Sequence, residues 1–78
     1  MAVFFMALTD KEKMLGFALH ARGLSKEYTL SILMLLSLED EIDDMVWFMG
    51  ENPKATQEQL LAVALQLDKE SREKGLKQ

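Results

Sequence analysis

The residues best able to do chemistry are gathered in one acidic run. Glu39, Asp40, Glu41, Asp43 and Asp44 fall within six positions that contain no basic residue. On a helix Glu39 shares a face with Asp43, and carboxylate oxygens are the ligands that Ca²⁺ prefers. The run lacks the alternate acids, the mid-loop glycine and the distal glutamate of an EF-hand loop. We therefore expect a solvated helix start favoured by the helix dipole, with contact to a basic partner as the second interpretation and a metal site as the third.

Catalytic groups are sparse elsewhere in the 78-residue chain. It has no cysteine, which excludes disulfides, thiolate zinc sites, iron–sulfur clusters and thiol catalysis. His20 is the single histidine, and a histidine base needs a nucleophile or an orienting acid that no motif here supplies. The sequence therefore predicts a protein that is not an enzyme, with no catalytic residue, cofactor or metal ion.

The charge distribution argues against a nucleic-acid backbone or a membrane as partner. The net charge is −4, and no segment forms the basic stripe expected of a phosphate-backbone binder. The apolar N-terminal segment, residues 1–8, lacks the basic n-region of a signal peptide and is too short to span a bilayer. We predict a cytoplasmic protein that does not enter membranes.

Capping residues precede each of four apolar stretches. Thr9 with Glu12, and Thr56 with Gln59, have the spacing of a capping box, in which each side chain satisfies a backbone N–H at the helix start. Ser25 and Ser37 can cap the two helices between them. The predicted helices run from about residue 10 to 22, 26 to 37, 39 to 49 and 57 to 74.

Glycines follow the first and the last predicted helix. Gly23 can take the left-handed conformation that ends a helix, and Leu24 would then fold back on Leu19 as in a Schellman motif. Gly75 closes the last helix in the same way. The polar residues 68–74 are expected to project into solvent or fray, and residues 75–78 to form a frayed tail.

Apolar residues at helical spacing predict the core. The second helix is apolar on every side over residues 32–36, so it must be buried all round or face a partner; a buried strand is the alternative. The predicted core stripe of the first helix is Met14, Phe17, Ala18 and Ala21, widened by Leu15 and Leu19. That of the third is Ile42, Met45, Val46 and Met49, and that of the fourth is Leu60, Leu61, Ala64, Leu65 and Leu67.

The predicted fold is all-α, a single domain with about four helices in a small orthogonal array or bundle and with helix 2 central. Trp47 and Phe48 are adjacent and point about 100° apart on a helix, so one should lie in the core and the other at an interface. We expect a non-enzymatic protein–protein interaction or assembly module, a homodimer or a complex with a protein partner. Its candidate interface residues are Phe4, Phe5, Met34, Trp47 and Phe48.

Two resemblances centre on residues 45–61, MVWFMGENPKATQEQLL. Over residues 10–70 the chain resembles small helical proteins of Gram-positive bacteria and their mobile elements, a group that implies no activity. Residues 56–60, TQEQL, resemble the opening of the first helix of helix-turn-helix DNA-binding domains, although no glycine turn follows Leu65. This second resemblance implies an alternative function, a nucleic-acid-associated regulator. Its phosphate contacts would be Lys69, Arg72, Lys74 and Lys77.

Overall fold

The computed structural model describes residues 8–77 and contains four helices in this range. Helix α1 is Asp10–Ala21, α2 is Lys26–Leu35, α3 is Glu39–Glu51 and α4 is Gln57–Glu73. No strand occurs in the described range, so the all-α prediction is confirmed and the strand alternative for the second apolar stretch is wrong. None of these helices is long and apolar enough to cross a membrane.

Local capping determines where three of the helices begin. The Thr9 hydroxyl accepts from Glu12 N at 3.2 Å while the Glu12 carboxylate accepts from Thr9 N at 2.9 Å. Thr56 and Gln59 repeat this capping box at the start of α4. Ser25 caps α2 by accepting from the backbone N–H of Tyr28. These three predictions are confirmed.

The predicted cap at Ser37 is wrong. Leu38 is the capping residue of α3, with an extended backbone at φ −96° and ψ 143°, and it has no side-chain oxygen to offer. Glu41 supplies one of the two hydrogen bonds of a capping box, because its carboxylate accepts from Leu38 N at 3.0 Å. The start of α3 therefore depends on a residue inside the helix.

Two glycines end helices in the same way. Gly23 has φ +83° and Gly75 has φ +77°. Leu24 N donates to Leu19 O while Gly23 N donates to His20 O, which is the predicted Schellman motif. Leu76 N likewise donates to Ser71 O, so the chain after α4 turns back toward the fold. This second turn brings Lys77 into contact with α2 and α4.

The four helices contact one another in a ring. Helix α1 packs on α2 and α3, and α4 packs on the same two helices from the other side. Each helix thus has two main neighbours. One side of α2 is buried and the other is not: Ile32, Leu33 and Leu36 are buried, but Met34 is 74% exposed. Of the two predicted alternatives for α2, burial on every side is therefore wrong, and contact with a partner stays a prediction.

The core is made mainly of leucine. Its largest fully buried side chains are Leu15, Leu19, Ile32, Leu36, Met45 and Leu60. On α1 the predicted stripe has the wrong orientation, because Met14 and Phe17 are exposed. Helix α2 approaches α1 at Gly16, where a Cβ atom would lie 3.5 Å from Leu33 Cδ1. This approach turns Leu15 and Leu19 inward and leaves Met14 and Phe17 outside. Val46 of α3 and Leu65 of α4, also predicted in the core, are exposed.

Candidate functional site

Exposed apolar side chains gather where α1 and α3 run side by side. Met14 of α1 is 66% exposed and Trp47 of α3 is 67% exposed, with Val46 beside them. The three surround a shallow hollow of about 340 Å³ whose floor includes the buried Ile42. We call this surface, with Lys11 and Asp43 at its edge, the α1–α3 face. Monomeric proteins seldom expose large apolar side chains together without a functional reason.

Opposite charges border the α1–α3 face. Lys11 Nζ lies 2.9 Å from Asp43 Oδ2 and 3.6 Å from Glu39 Oε2. The hydrogen bond to Asp43 raises the pKa of Lys11 above its ordinary value, although burial acts in the opposite direction. All three side chains are exposed, so these ion pairs contribute little to stability. Their consequence is a rim that offers both signs of charge to a partner.

The predicted interface residues are found in different places. Trp47 belongs to the α1–α3 face, whereas its neighbour Phe48 is half-buried against the core. This confirms that one of the two aromatic residues packs on the core. That the other lies at an interface stays a prediction. Met34 lies on α2, away from the α1–α3 face. Phe4 and Phe5 lie outside the described residues. Met14 and Val46 were missed as surface residues because their spacing also fits a core stripe.

Of the four cations suggested as phosphate contacts, two lie in ion pairs with acidic side chains of the protein. Lys69 and Lys74 are exposed. Arg72 Nε donates to Asp68 Oδ2 at 3.1 Å. The side chain of Lys77 is only 8% exposed and is enclosed by acids. Helix α4 is unbroken from Gln57 to Glu73, so the turn that a helix-turn-helix motif needs after residues 56–60 does not occur.

Lys77 closes the fold through a buried ionic cluster, here called the C-terminal clasp. Its Nζ donates to Asp68 Oδ1 at 2.6 Å and to the backbone carbonyl of Leu35, and it lies 2.8 Å from Glu41 Oε2. Two of the three ammonium donors are used by these hydrogen bonds, and the contact with Glu41 Oε2 is an ion pair. The three contacts join the end of α2, the start of α3 and the middle of α4. The frayed tail predicted for residues 75–78 is therefore absent at residues 75–77, and Gln78 lies outside the described residues.

The clasp keeps its groups charged. Burial alone would raise the pKa of Glu41, but contacts with Lys77, the Leu38 N–H and Ser71 outweigh it and lower the pKa. Hydrogen bonds from Lys77 and Arg72 lower the pKa of Asp68. Burial would lower the pKa of Lys77, yet its bonds to Asp68 and Glu41 raise it. The residue of the acidic run that sequence reasoning left solvated, Glu41, is in fact 3% exposed and structural.

Arg22 performs a similar joining role at the other end of the molecule. Its guanidinium donates to Met49 O at 3.0 Å, to Asn52 O at 2.9 Å and to Ala55 O at 3.3 Å. These carbonyls belong to the end of α3 and the loop that follows, where the helix dipole is negative. Arg22 therefore fastens α1 to the α3–α4 loop. No sequence motif signals this contact, because the partners are backbone atoms.

Catalytic or metal-binding chemistry has no visible centre in the part of the chain that the structure describes. His20 is exposed near the end of α1. Within residues 8–77 no three His, Asp or Glu side chains are arranged to hold a metal ion. The rest of the acidic run, Glu39, Asp40, Asp43 and Asp44, is exposed as expected.

Comparisons with protein-family models, with characterised proteins and with solved structures find no match to this chain.

Proposed function

We propose that this protein is a non-enzymatic interaction module that assembles as a homodimer through the α1–α3 face. The observation that carries the proposal is the exposure of Met14, Val46 and Trp47 around one hollow. Tryptophan is among the residues that most often dominate binding energy at the centre of an interface. A cytoplasmic location goes with the proposal, since small secreted domains usually rely on disulfides and this sequence has no cysteine.

Both parts of a self-complementary contact lie on the same face. In a two-fold symmetric dimer each surface patch meets its own copy, so a projecting side chain and a hollow must be close together. Trp47 projects beside the hollow that Ile42 floors. A second copy, rotated by the two-fold axis, can place its Trp47 over this hollow and receive the first tryptophan in return.

The rim supports the same arrangement. Lys11 is cationic and its neighbours Asp43 and Glu39 are anionic, so a second copy can meet opposite charges if its Lys11 faces these carboxylates. Polar rims around an apolar centre are the usual anatomy of protein interfaces. The charges set the orientation of the two copies, while the apolar side chains supply the favourable free energy.

Fluorescence of the single tryptophan tests the proposal. Association would move Trp47 from water into an apolar contact, so its emission should shift to the blue as protein concentration rises. The matched variants are Met14→Lys, on the face, and Leu65→Lys, on an exposed part of α4 away from it. Met14→Lys should abolish the concentration-dependent shift and Leu65→Lys should leave it intact. An emission maximum independent of concentration, or equal effects of both variants, would contradict the proposal.

The alternative function, a nucleic-acid-associated regulator, has weaker support. Of its four candidate phosphate contacts, Lys77 is enclosed by Glu41 and Asp68, and Arg72 is paired with Asp68. Lys69 and Lys74 are left at the surface among the acids of α4. Two exposed lysines supply a small part of the electrostatic attraction that a duplex binder needs.

A further inference from the structure

A second apolar depression lies between α1 and α2, on the other side of α1 from the α1–α3 face. Its volume is about 440 Å³, within the usual range for small-molecule pockets. Phe17, Leu24 and Leu30 form its apolar wall, with Leu8 at one end. We call it the α1–α2 groove. Phe17 is 74% exposed, so an apolar ligand would shield this ring from water.

The ionisable side chains of the described residues that line the groove are all basic. Lys13, His20 and Lys26 line it, and no acidic side chain among the described residues does so. This is unusual for a chain with 13 acidic and 9 basic residues. Neither Lys13 nor Lys26 forms an ion pair within residues 8–77, whereas Lys11 and Lys77 each contact two carboxylates. The groove therefore combines an apolar wall with unpaired positive charge.

We propose that the α1–α2 groove binds a long-chain carboxylate, a free fatty acid. The alkyl chain would lie along Phe17, Leu24 and Leu30, and the carboxylate would be bound by Lys13 and Lys26. An apolar tail with one anionic end is the ligand class that matches both features, since an uncharged hydrocarbon would leave the basic groups unused. Among the described residues, none that lines this groove also lines the hollow of the α1–α3 face, so this inference goes beyond the proposed function and does not depend on it.

Calorimetric titration of the full chain with dodecanoate, below the concentration at which it forms micelles, tests the inference. Saturable binding of one ligand per chain is expected. Tetradecanoate should bind up to about fifteenfold more tightly, because each buried methylene is worth about a factor of four. Dodecanol and dodecyltrimethylammonium, which share the tail but lack the anion, should bind more weakly than dodecanoate.

Two pairs of variants locate the site. Phe17→Asp should abolish dodecanoate binding, while Met34→Asp, at an equally exposed position on α2 that does not line the groove, should leave it unchanged. Replacing Lys13 and Lys26 together by Gln should weaken binding about tenfold. The same double replacement at Lys69 and Lys74, both exposed on or beside α4, should have no effect.

Three results would overturn the inference. The first is the absence of saturable dodecanoate binding, as would follow if another part of the chain filled the groove. The second is equal binding of dodecanoate and dodecyltrimethylammonium, which would show that the basic residues do not select an anionic ligand. The third is binding to vesicles of phosphatidylglycerol without binding of monomeric dodecanoate, which would assign the surface to a membrane.

Discussion

The substitution Lys77→Met tests the C-terminal clasp most sharply. Methionine keeps an unbranched stem but removes the ammonium group that contacts Glu41, Asp68 and the Leu35 carbonyl. Glu41, which is 3% exposed, would then hold a buried negative charge with no cation beside it. Its remaining partners are the Leu38 N–H and Ser71.

The expected cost follows from burial. Removing one partner of a buried ion pair costs about 3–5 kcal/mol because the other charge is left uncompensated. Here Glu41 can take up a proton, which reduces the cost. We expect a loss of about 2–3 kcal/mol in the free energy of unfolding, which lowers the Tm of a domain this size by roughly 10–20 °C.

Thermal and urea unfolding followed by circular dichroism measure the effect. Lys74→Met is the matched control, because it makes the same change at an exposed lysine three residues away, and it should alter stability by less than about 0.5 kcal/mol. A double-mutant cycle with Glu41→Gln should show that the two losses are not additive. Equal, small losses for Lys77→Met and Lys74→Met would refute the reasoning.

The clasp also fixes the direction of the pH dependence. Since the pKa values of Glu41 and Asp68 are lowered from 4.5 and 3.8, their contribution is present above the ordinary carboxyl range and is lost as the pH falls through the lowered values. Since the pKa of Lys77 is raised from 10.5, its contribution is complete below that pH and is lost at more alkaline pH. In Lys77→Met the acid unfolding transition should move to higher pH.

Further predictions concern the contacts that hold the helices together and the alternative function. Arg22→Ala should destabilise the protein by about 2 kcal/mol, and Arg22→Lys should recover less than half of this, because lysine cannot reach three carbonyls as a planar fork; urea unfolding measures both. Gly23→Ala should cost about 1–2 kcal/mol because φ is +83°. Gly16→Ala should instead stabilise by about 0.5–1 kcal/mol, since the added Cβ meets Leu33 at an ordinary 3.5 Å; a loss there would contradict the packing described. Fluorescence anisotropy with duplex DNA at low salt should show no binding, and tight, salt-sensitive binding would favour the alternative function.

Helix positions were predictable from the sequence because they depend on local signals. The capping boxes at Thr9 and Thr56 and the left-handed turn at Gly23 involve residues within five positions of one another. Such contacts do not depend on what the rest of the chain does. The prediction at Ser37 is wrong because α3 begins one residue later, at the cap Leu38, whose N–H donates to the Glu41 carboxylate inside the helix.

Rotation of the helices and the long-range contacts were not predictable in this way. On α1 two apolar stripes compete, one through Met14 and Phe17 and one through Leu15 and Leu19, and the approach of α2 at Gly16 decides between them. The stripe of α1 that stays exposed contributes Met14 to the α1–α3 face.

Contacts between distant residues left no periodic signal. Lys77 lies 42 positions from Leu35 and Arg22 lies 27 positions from Met49, and both bind backbone carbonyls, which every residue carries. Lysine is most often solvated, so the burial of Lys77 could be found only from the structure.

Sedimentation equilibrium of the unmodified protein tests the central claim most directly. If the α1–α3 face joins two copies, the weight-average mass should rise with concentration from 8.9 kDa toward twice that value, and Trp47→Lys should weaken association by about thirtyfold or more. A mass that stays at that of one chain across the whole concentration range would contradict the account.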